Sequence, residues 1–236
     1  MTTSTTAPAS AFAAYRDAQA RAVNLPDDGT LTRVGRIRAQ AAILRPARDA
    51  LAAAIPAPSD QAADPVASVL AARRAKNADD VALHTRQREI VHAQLATGRQ
   101  LAAIIDQADE SRLAAIIDGL DDDPAVLASS DPDGVAAEVR ERVFARLVAL
   151  GTEDAVTAAA QVRESQAAAA WHAALTELHS ASGLSYPTRA ALHDADPEGY
   201  AATIAADADR TAAENVVHLD RETARVLAAA DNLGDA

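Results

Sequence analysis

The chain has 236 residues and a formal net charge of −12, from 22 Lys or Arg against 34 Asp or Glu. It has no cysteine, which excludes disulfides, thiolate catalysis and thiolate metal sites. The acidic balance argues against general nucleic-acid binding, and no run of about 18 apolar residues is present that could span a membrane.

Alanine dominates the apolar residues, whereas aromatic residues make up only 3% of the chain. Small side chains allow helices to approach closely but fill little volume, since aromatic rings supply much of the buried area in most cores. No segment alternates β-branched and polar residues as a strand does. The composition therefore predicts an all-α fold of elongated helical hairpins or a coiled-coil-like bundle.

The N-terminal end is predicted to be a tail followed by a helix. Residues 1–9 have the composition of a disordered tail, and they lack the basic and apolar regions of a secretory signal. Ser10 is a suitable N-cap for a helix that runs to Val23. Because neither a secretory signal nor a membrane-spanning run is indicated, we expect a soluble, cytoplasmic protein.

A second helix is predicted to begin after Thr30 or Thr32, either of which can act as its cap, and to run to Ile55. Pro46 lies within it and lacks the N–H group that a helix interior needs. Because proline also restricts the residue before it, Arg45 is predicted to end a segment or to mark a kink.

Proline and glycine divide the rest of the chain. The Pro-rich stretch near residue 56 predicts a linker over 56–64, between a basic helical region over 10–55 and a main helical bundle over 65–236. Aspartate before proline predicts a capped helix start. Four such pairs are present: Asp64-Pro65, Asp123-Pro124, Asp131-Pro132 and Asp196-Pro197.

The C-terminal third is predicted to be an antiparallel hairpin of two long helices. Gly151 and Gly183 are typical stop signals, so one helix is expected over 152–181. The second is expected over 197–232, with 184–195 as the connection between them. Trp171 is interpreted as a packing anchor of the first helix.

One hexapeptide, Leu-Ala-Ala-Ile-Ile-Asp, occurs at 101–106 and again at 113–118, within a proline-free stretch. Twelve residues rotate the second copy by about 120° around a straight helix, so the two apolar faces would diverge. Either the helix contacts neighbours on two sides or it breaks near Asp109, which could cap a new helix; a duplication without structural meaning is the third interpretation. The residues predicted to pack are Leu101, Ile104, Ile105, Leu113, Ile116 and Ile117.

Charge is distributed unevenly along the chain. Residues 1–100 hold 13 Lys or Arg and 9 Asp or Glu, whereas residues 101–236 hold 9 and 25. Five arginines stand close together before the linker and form the candidate partner-binding segment: Arg33, Arg36, Arg38, Arg45 and Arg48. They could bind phosphate, but no helix-turn-helix pattern or stacking aromatics accompany them. A solvated face and docking to an acidic protein surface are the other interpretations.

Motifs for chemistry are sparse. Glu89 and His92 have the i,i+3 spacing of half a di-metal carboxylate site, but a second copy is missing, because Glu214 and His218 are spaced i,i+4. No Walker loop, Rossmann fingerprint or nucleophile elbow is present. The sequence predicts neither a catalytic residue nor a bound metal or cofactor.

We therefore expect a non-enzymatic helical protein that acts through helix–helix contacts, with a protein partner or by self-association. Its acidic, alanine-rich helices are similar in character to those of phage scaffolding and other virion-associated assembly proteins. This resemblance rests on composition and on no motif. If the protein came from a phage, it would be expected to be virion-associated. A nucleic-acid-associated protein that uses the Arg33–Arg48 segment is the first alternative. A helical-bundle metalloprotein is the second.

Overall fold

The computed structural model describes residues 6–25, 31–57, 64–180, 184–208 and 213–234, which form twelve α-helices and no strand. The all-α prediction is confirmed. No helix in these segments is both long and apolar enough to cross a membrane. In chain order the helices are α1 (Thr6–Val23), α2 (Arg33–Ala53), α3 (Pro65–Ala71), α4 (Ala78–Ala96), α5 (Leu101–Asp106), α6 (Glu110–Gly119), α7 (Pro124–Leu127), α8 (Pro132–Leu150), α9 (Glu153–His179), α10 (Tyr186–Ala195), α11 (Pro197–Ala208) and α12 (Ala213–Gly234), with a 3₁₀ turn at Leu120–Asp122 between α6 and α7.

The chain divides into two compact units. Unit 1 combines residues 1–60 with 164–236, and unit 2 is residues 61–163. The predicted linker at 56–64 lies at the first boundary, but the expected bundle over 65–236 is divided at a second boundary inside α9. The C-terminal third therefore belongs with the N-terminal helices, because apolar residues of α9 and α10 share one core with α1 and α2.

Unit 1 is organised around Trp171, which is 1% exposed and meets the ring of Phe12 edge-on with centroids 6.4 Å apart. Its indole N–H donates to the Asp196 carboxylate at 2.9 Å. Asp196 also caps α11 by accepting from the Gly199 N–H at 3.0 Å. The polar edge of the indole is thus satisfied while its rings fill the core. The other buried residues of this cluster are Tyr15, Leu51, Ala174, Leu175, Leu178 and Leu192.

Unit 2 is built around the repeated hexapeptide. The helix breaks between the copies, and Asp109 caps α6 by accepting from the Arg112 N–H at 2.9 Å. The two apolar faces can therefore point independently, and both enter one core with residues of α3, α4, α8 and the start of α9. A single helix through both copies is excluded.

A second break precedes the repeat. Gly98 has φ of +85°, a left-handed conformation that glycine adopts without steric cost. It follows the end of α4, and α5 begins at Leu101. The proline-free stretch over 78–120 therefore forms three helices, because capping residues divide it where proline does not.

The structure differs from the N-terminal predictions at the predicted tail and in one of the two interpretations of Arg45, the segment end. The first helix begins at Thr6, inside the predicted tail, and the Ser10 hydroxyl donates to the Ala7 carbonyl within α1 at 2.9 Å instead of capping it. Arg45 does not end a segment, since α2 continues through Pro46. Leu44 and Leu51, seven residues apart on one face, are both buried, and each can contribute about 1.5–3 kcal/mol against the roughly 3 kcal/mol cost of an interior proline.

The helix starts were predicted more accurately than the connections. Thr32 caps α2, and all four Asp-Pro pairs begin helices. The expected connection over 184–195 is itself mostly helix, because Ser185 caps α10 and Leu192 anchors it in the core. The predicted last helix is described as α11 and α12, and residues 209–212 lie outside the described segments, as does Gly183.

Candidate functional site

The residues predicted to pack lie inside the two units. Ile104 and Ile105 are 1% exposed and Leu113 is fully buried, whereas Leu101 is half-buried at the edge of the same core. Ile116 and Ile117 from the second copy join them, and Trp171 belongs to unit 1. These side chains hold each unit together and are not available to a partner.

The basic segment does not form one surface. Arg36 donates to the Leu25 carbonyl at 3.0 Å, and Arg45 forms an exposed ion pair with Asp231 of α12 at 2.9 Å. The Arg48 side chain is half-buried, and its Nε has no hydrogen-bond partner among the described residues. Arg33 and Arg38 are the exposed members that remain.

The most connected charged residue is Arg73, in the loop after α3, which sequence reasoning did not select. Its side chain is 13% exposed and meets the Asp154 carboxylate through two parallel hydrogen bonds of 2.6 and 2.8 Å. Glu110 lies 3.1 Å from the same guanidinium. The first turns of α6 and α9 are therefore tied to one cation. No local motif marks this group, since its members are separated by 37 and 44 residues in sequence.

The pKa values around Arg73 shift as an ion pair requires. The hydrogen bond from Arg73 lowers the pKa of Asp154 below its usual range, and the hydrogen bond to Asp154 raises the pKa of Arg73. Both groups are thus held in their charged forms. A charge fixed in this way stabilises structure and is poorly suited to proton transfer near neutral pH.

Arg73 lies between two open clefts of unit 2. The larger, about 870 Å³, lies between α3 and the start of α9, and the smaller, about 470 Å³, lies beside α4 and α6. Both are lined by Glu110 as well as Arg73. Of the acids that line them, Glu110 and Asp154 pair with Arg73.

His84 and Asp118 form a second buried polar contact. His84 Nδ1 lies 3.0 Å from an Asp118 carboxylate oxygen, and the Ala75 N–H donates to the other oxygen at 3.2 Å. Burial raises the pKa of Asp118, but these two hydrogen bonds, with the charges of His84 and Arg88, outweigh it and the net shift is downward. The contact fastens the loop after α3 to α4 and α6.

The metal alternative gains no support from the geometry. Within the described segments no three His, Asp or Glu side chains are grouped closely enough to hold an ion. Glu89 and His92 are both exposed on α4, and the side chains of Glu214 and His218 lie outside the described part.

Large apolar side chains remain exposed at or near helix ends. Leu31 and Val34 stand at the start of α2, and Leu127, 60% exposed, is the last residue of α7. In the described part of the chain the others are Val81, Leu83, Leu150, Val156 and Tyr186. Scattered exposed leucines are ordinary, whereas larger contiguous apolar patches are typical of contact sites. We call a helix end that carries such an exposed side chain an apolar tip.

Two of these tips carry opposite charge. The basic tip is defined as Leu31, Arg33, Val34 and Arg38. The acidic knob is defined as Asp122, Asp123, Leu127, Asp131 and Asp133. These residues belong to the 3₁₀ turn, to α7, which contacts both that turn and α8, and to the connections and first turn that flank α7 and begin α8.

No protein-family model, curated protein or solved structure matches this chain.

Proposed function

We propose that this chain is a non-enzymatic helical protein that acts by binding protein surfaces, including other copies of itself, as an assembly or scaffold component. The observation that carries the proposal is the set of exposed apolar side chains at helix ends, with Leu127 the most exposed leucine among them. This chain has few bulky apolar residues, and yet some of them are exposed to water. Burial of these exposed side chains against a partner would be favourable.

The charged residues support the same function. Arg73, Arg74 and Arg142 pair with carboxylates of other helices in unit 2, and Arg45 pairs with Asp231 in unit 1. These pairs fix helices against one another. They favour a protein whose charges set structure and surface potential over one whose charges carry out a reaction.

Light scattering across a concentration series tests the proposal. Association through a few apolar side chains is expected to be weak, and a free energy of about −4 to −8 kcal/mol corresponds to dissociation constants of about 1 mM to 1 μM. We therefore expect the average mass to rise above that of the 24.4 kDa monomer across that range. A mass that stays at the monomer value up to about 1 mM would contradict self-association.

A further inference from the structure

The basic tip and the acidic knob are complementary in both charge and apolar character. At the tip, Leu31 is 46% and Val34 is 40% exposed. Arg33 precedes Val34 and Arg38 lies one helical turn after it; both are exposed and form no ion pair within the described residues. Two arginines next to two apolar side chains would suit an acidic surface that also offers an apolar contact.

The acidic knob offers such a surface. Leu127 is 60% exposed at the end of α7, and the exposed Asp122, Asp131 and Asp133 lie within six residues of it in sequence. Asp131 uses one oxygen to cap α8, accepting from the Gly134 N–H at 3.0 Å, and keeps its charge. Of the charged residues in 122–133, all are acidic.

We propose that the basic tip of one copy docks on the acidic knob of a second copy, with Leu31 and Val34 against Leu127. This inference rests on the proposed function and names its partner. The two surfaces are different patches of the same chain, so the contact is heterologous. Repetition of such a contact produces open chains or rings instead of a closed two-fold dimer.

The size of the surfaces determines the strength of the contact. Three apolar side chains cannot bury the roughly 1,200–2,000 Å² of a stable protein interface. The attraction therefore depends on exposed charges, which salt screens over about 10 Å at 0.1 M. We expect dissociation constants to increase about tenfold or more between 50 and 500 mM salt.

Charge-reversal variants of the full chain test the docking by sedimentation velocity. The tip variant carries Arg33→Glu and Arg38→Glu. The knob variant carries Asp122→Lys and Asp133→Lys, which leaves the capping residues Asp123 and Asp131 in place. Each variant alone is expected to sediment as a monomer, because each lacks one of the two surfaces.

A mixture of the two variants gives the sharpest result. The intact tip of the knob variant can dock on the intact knob of the tip variant, so an equimolar mixture is expected to associate where neither variant does alone. Circular dichroism checks that each variant is folded. The matched control carries Arg86→Glu and Arg163→Glu, which reverse two exposed arginines elsewhere and change the net charge as much as the tip variant does. Its dissociation constant for self-association should stay within about twofold of that of the unaltered chain.

Two results would overturn the docking alone. The tip variant could associate as strongly as the control, or the mixture could remain monomeric while the unaltered chain associates. Either result leaves the proposed function standing through another surface. A monomeric unaltered chain at low salt and high concentration overturns both, so the two failures are distinguishable.

Discussion

Arg73 and Arg74 are neighbours in sequence but have different environments. The Arg73 side chain is 13% exposed and contacts two carboxylates, whereas that of Arg74 is 58% exposed and pairs with Asp121, which is itself half in solvent. Exposed ion pairs contribute little because water screens them and the side chains lose entropy. A charge-assisted bidentate pair contributes more, and Arg73, at 13% exposed, is the shielded partner of Asp154, which is 45% exposed.

Replacement of the two arginines should therefore have unequal effects. Arg73→Ala is expected to lower the free energy of unfolding by about 1–3 kcal/mol, because it removes hydrogen bonds to two carboxylates. Arg74→Ala, the matched control, should cost less than about 1 kcal/mol. Urea unfolding followed by circular dichroism measures both, and equal losses would show that the Arg73 group contributes no more than a surface pair.

The lowered pKa of Asp154 predicts that the free energy of unfolding decreases in acid. Arg73 holds its pKa below the value of about 3.9 expected in the unfolded chain. The unfolded state therefore takes up this proton first, so the stabilisation is complete above pH 3.9 and is lost as the pH falls through the lower, folded-state pKa.

Substitution of Asp154 should remove that dependence. Between about pH 5 and pH 2 the free energy of unfolding of Asp154→Asn is expected to fall less steeply than that of the unaltered chain. Asp122→Asn, which removes an exposed carboxylate without an ion pair in the described residues, should keep the original slope. Parallel curves for all three proteins would rule out a role for Asp154.

The repeated hexapeptide shows how a capping residue determines where a helix begins. The same six residues form α5 and most of α6, but their first caps differ: Asp109 accepts a hydrogen bond from the Arg112 N–H, whereas Gln100 makes no side-chain capping bond. The aspartate therefore stabilises the start of α6 in a way that has no counterpart in α5.

Alanine substitution at the two caps tests this difference. Asp109→Ala is expected to cost about 0.5–2 kcal/mol in the free energy of unfolding, the usual range for loss of an N-cap. Gln100→Ala should change it by less than about 0.5 kcal/mol, because no capping bond is lost. Thermal or urea unfolding checks both, and similar values for the two variants would disprove the capping role.

Local signals predicted the helix starts well. A cap such as Thr32 or Asp64 acts within three residues of itself, so its hydrogen bond can be read directly from the sequence. The break at Asp109 was foreseen as one of three interpretations for the same reason. Continuation through Pro46 was one of two interpretations, and the burial of Leu44 and Leu51 against other helices favours it over a segment end.

Contacts between distant residues could not be predicted. Arg73 meets Asp154 across 81 positions, and Trp171 shares a core with Phe12 across 159. Nothing in either neighbourhood indicates the partner, and the helices are too uniform in alanine to specify one pairing by pattern. The discontinuous unit 1 and the Arg73 group were missed for this reason.

For the whole molecule, the charge imbalance along the sequence does not separate the two units, since each holds 11 Lys or Arg and 17 Asp or Glu. The opposite charges of the basic tip and the acidic knob are therefore local. The basic tip lies at the start of α2 in unit 1, and the acidic knob lies in unit 2. Each unit has its own apolar core, so the exposed apolar tips are not needed to complete either core. The central claim of the proposed function is that they form contacts between molecules.

Amide hydrogen exchange at low and at high protein concentration tests that claim most directly, because it reports both whether association occurs and which segments it covers. At high concentration and low salt, amides of residues 31–38 and of 122–133 are expected to exchange more slowly than in dilute solution. Amides near Leu113 and Trp171, which are buried in the two cores, should not change. Exchange that is identical at both concentrations throughout the chain would contradict the account.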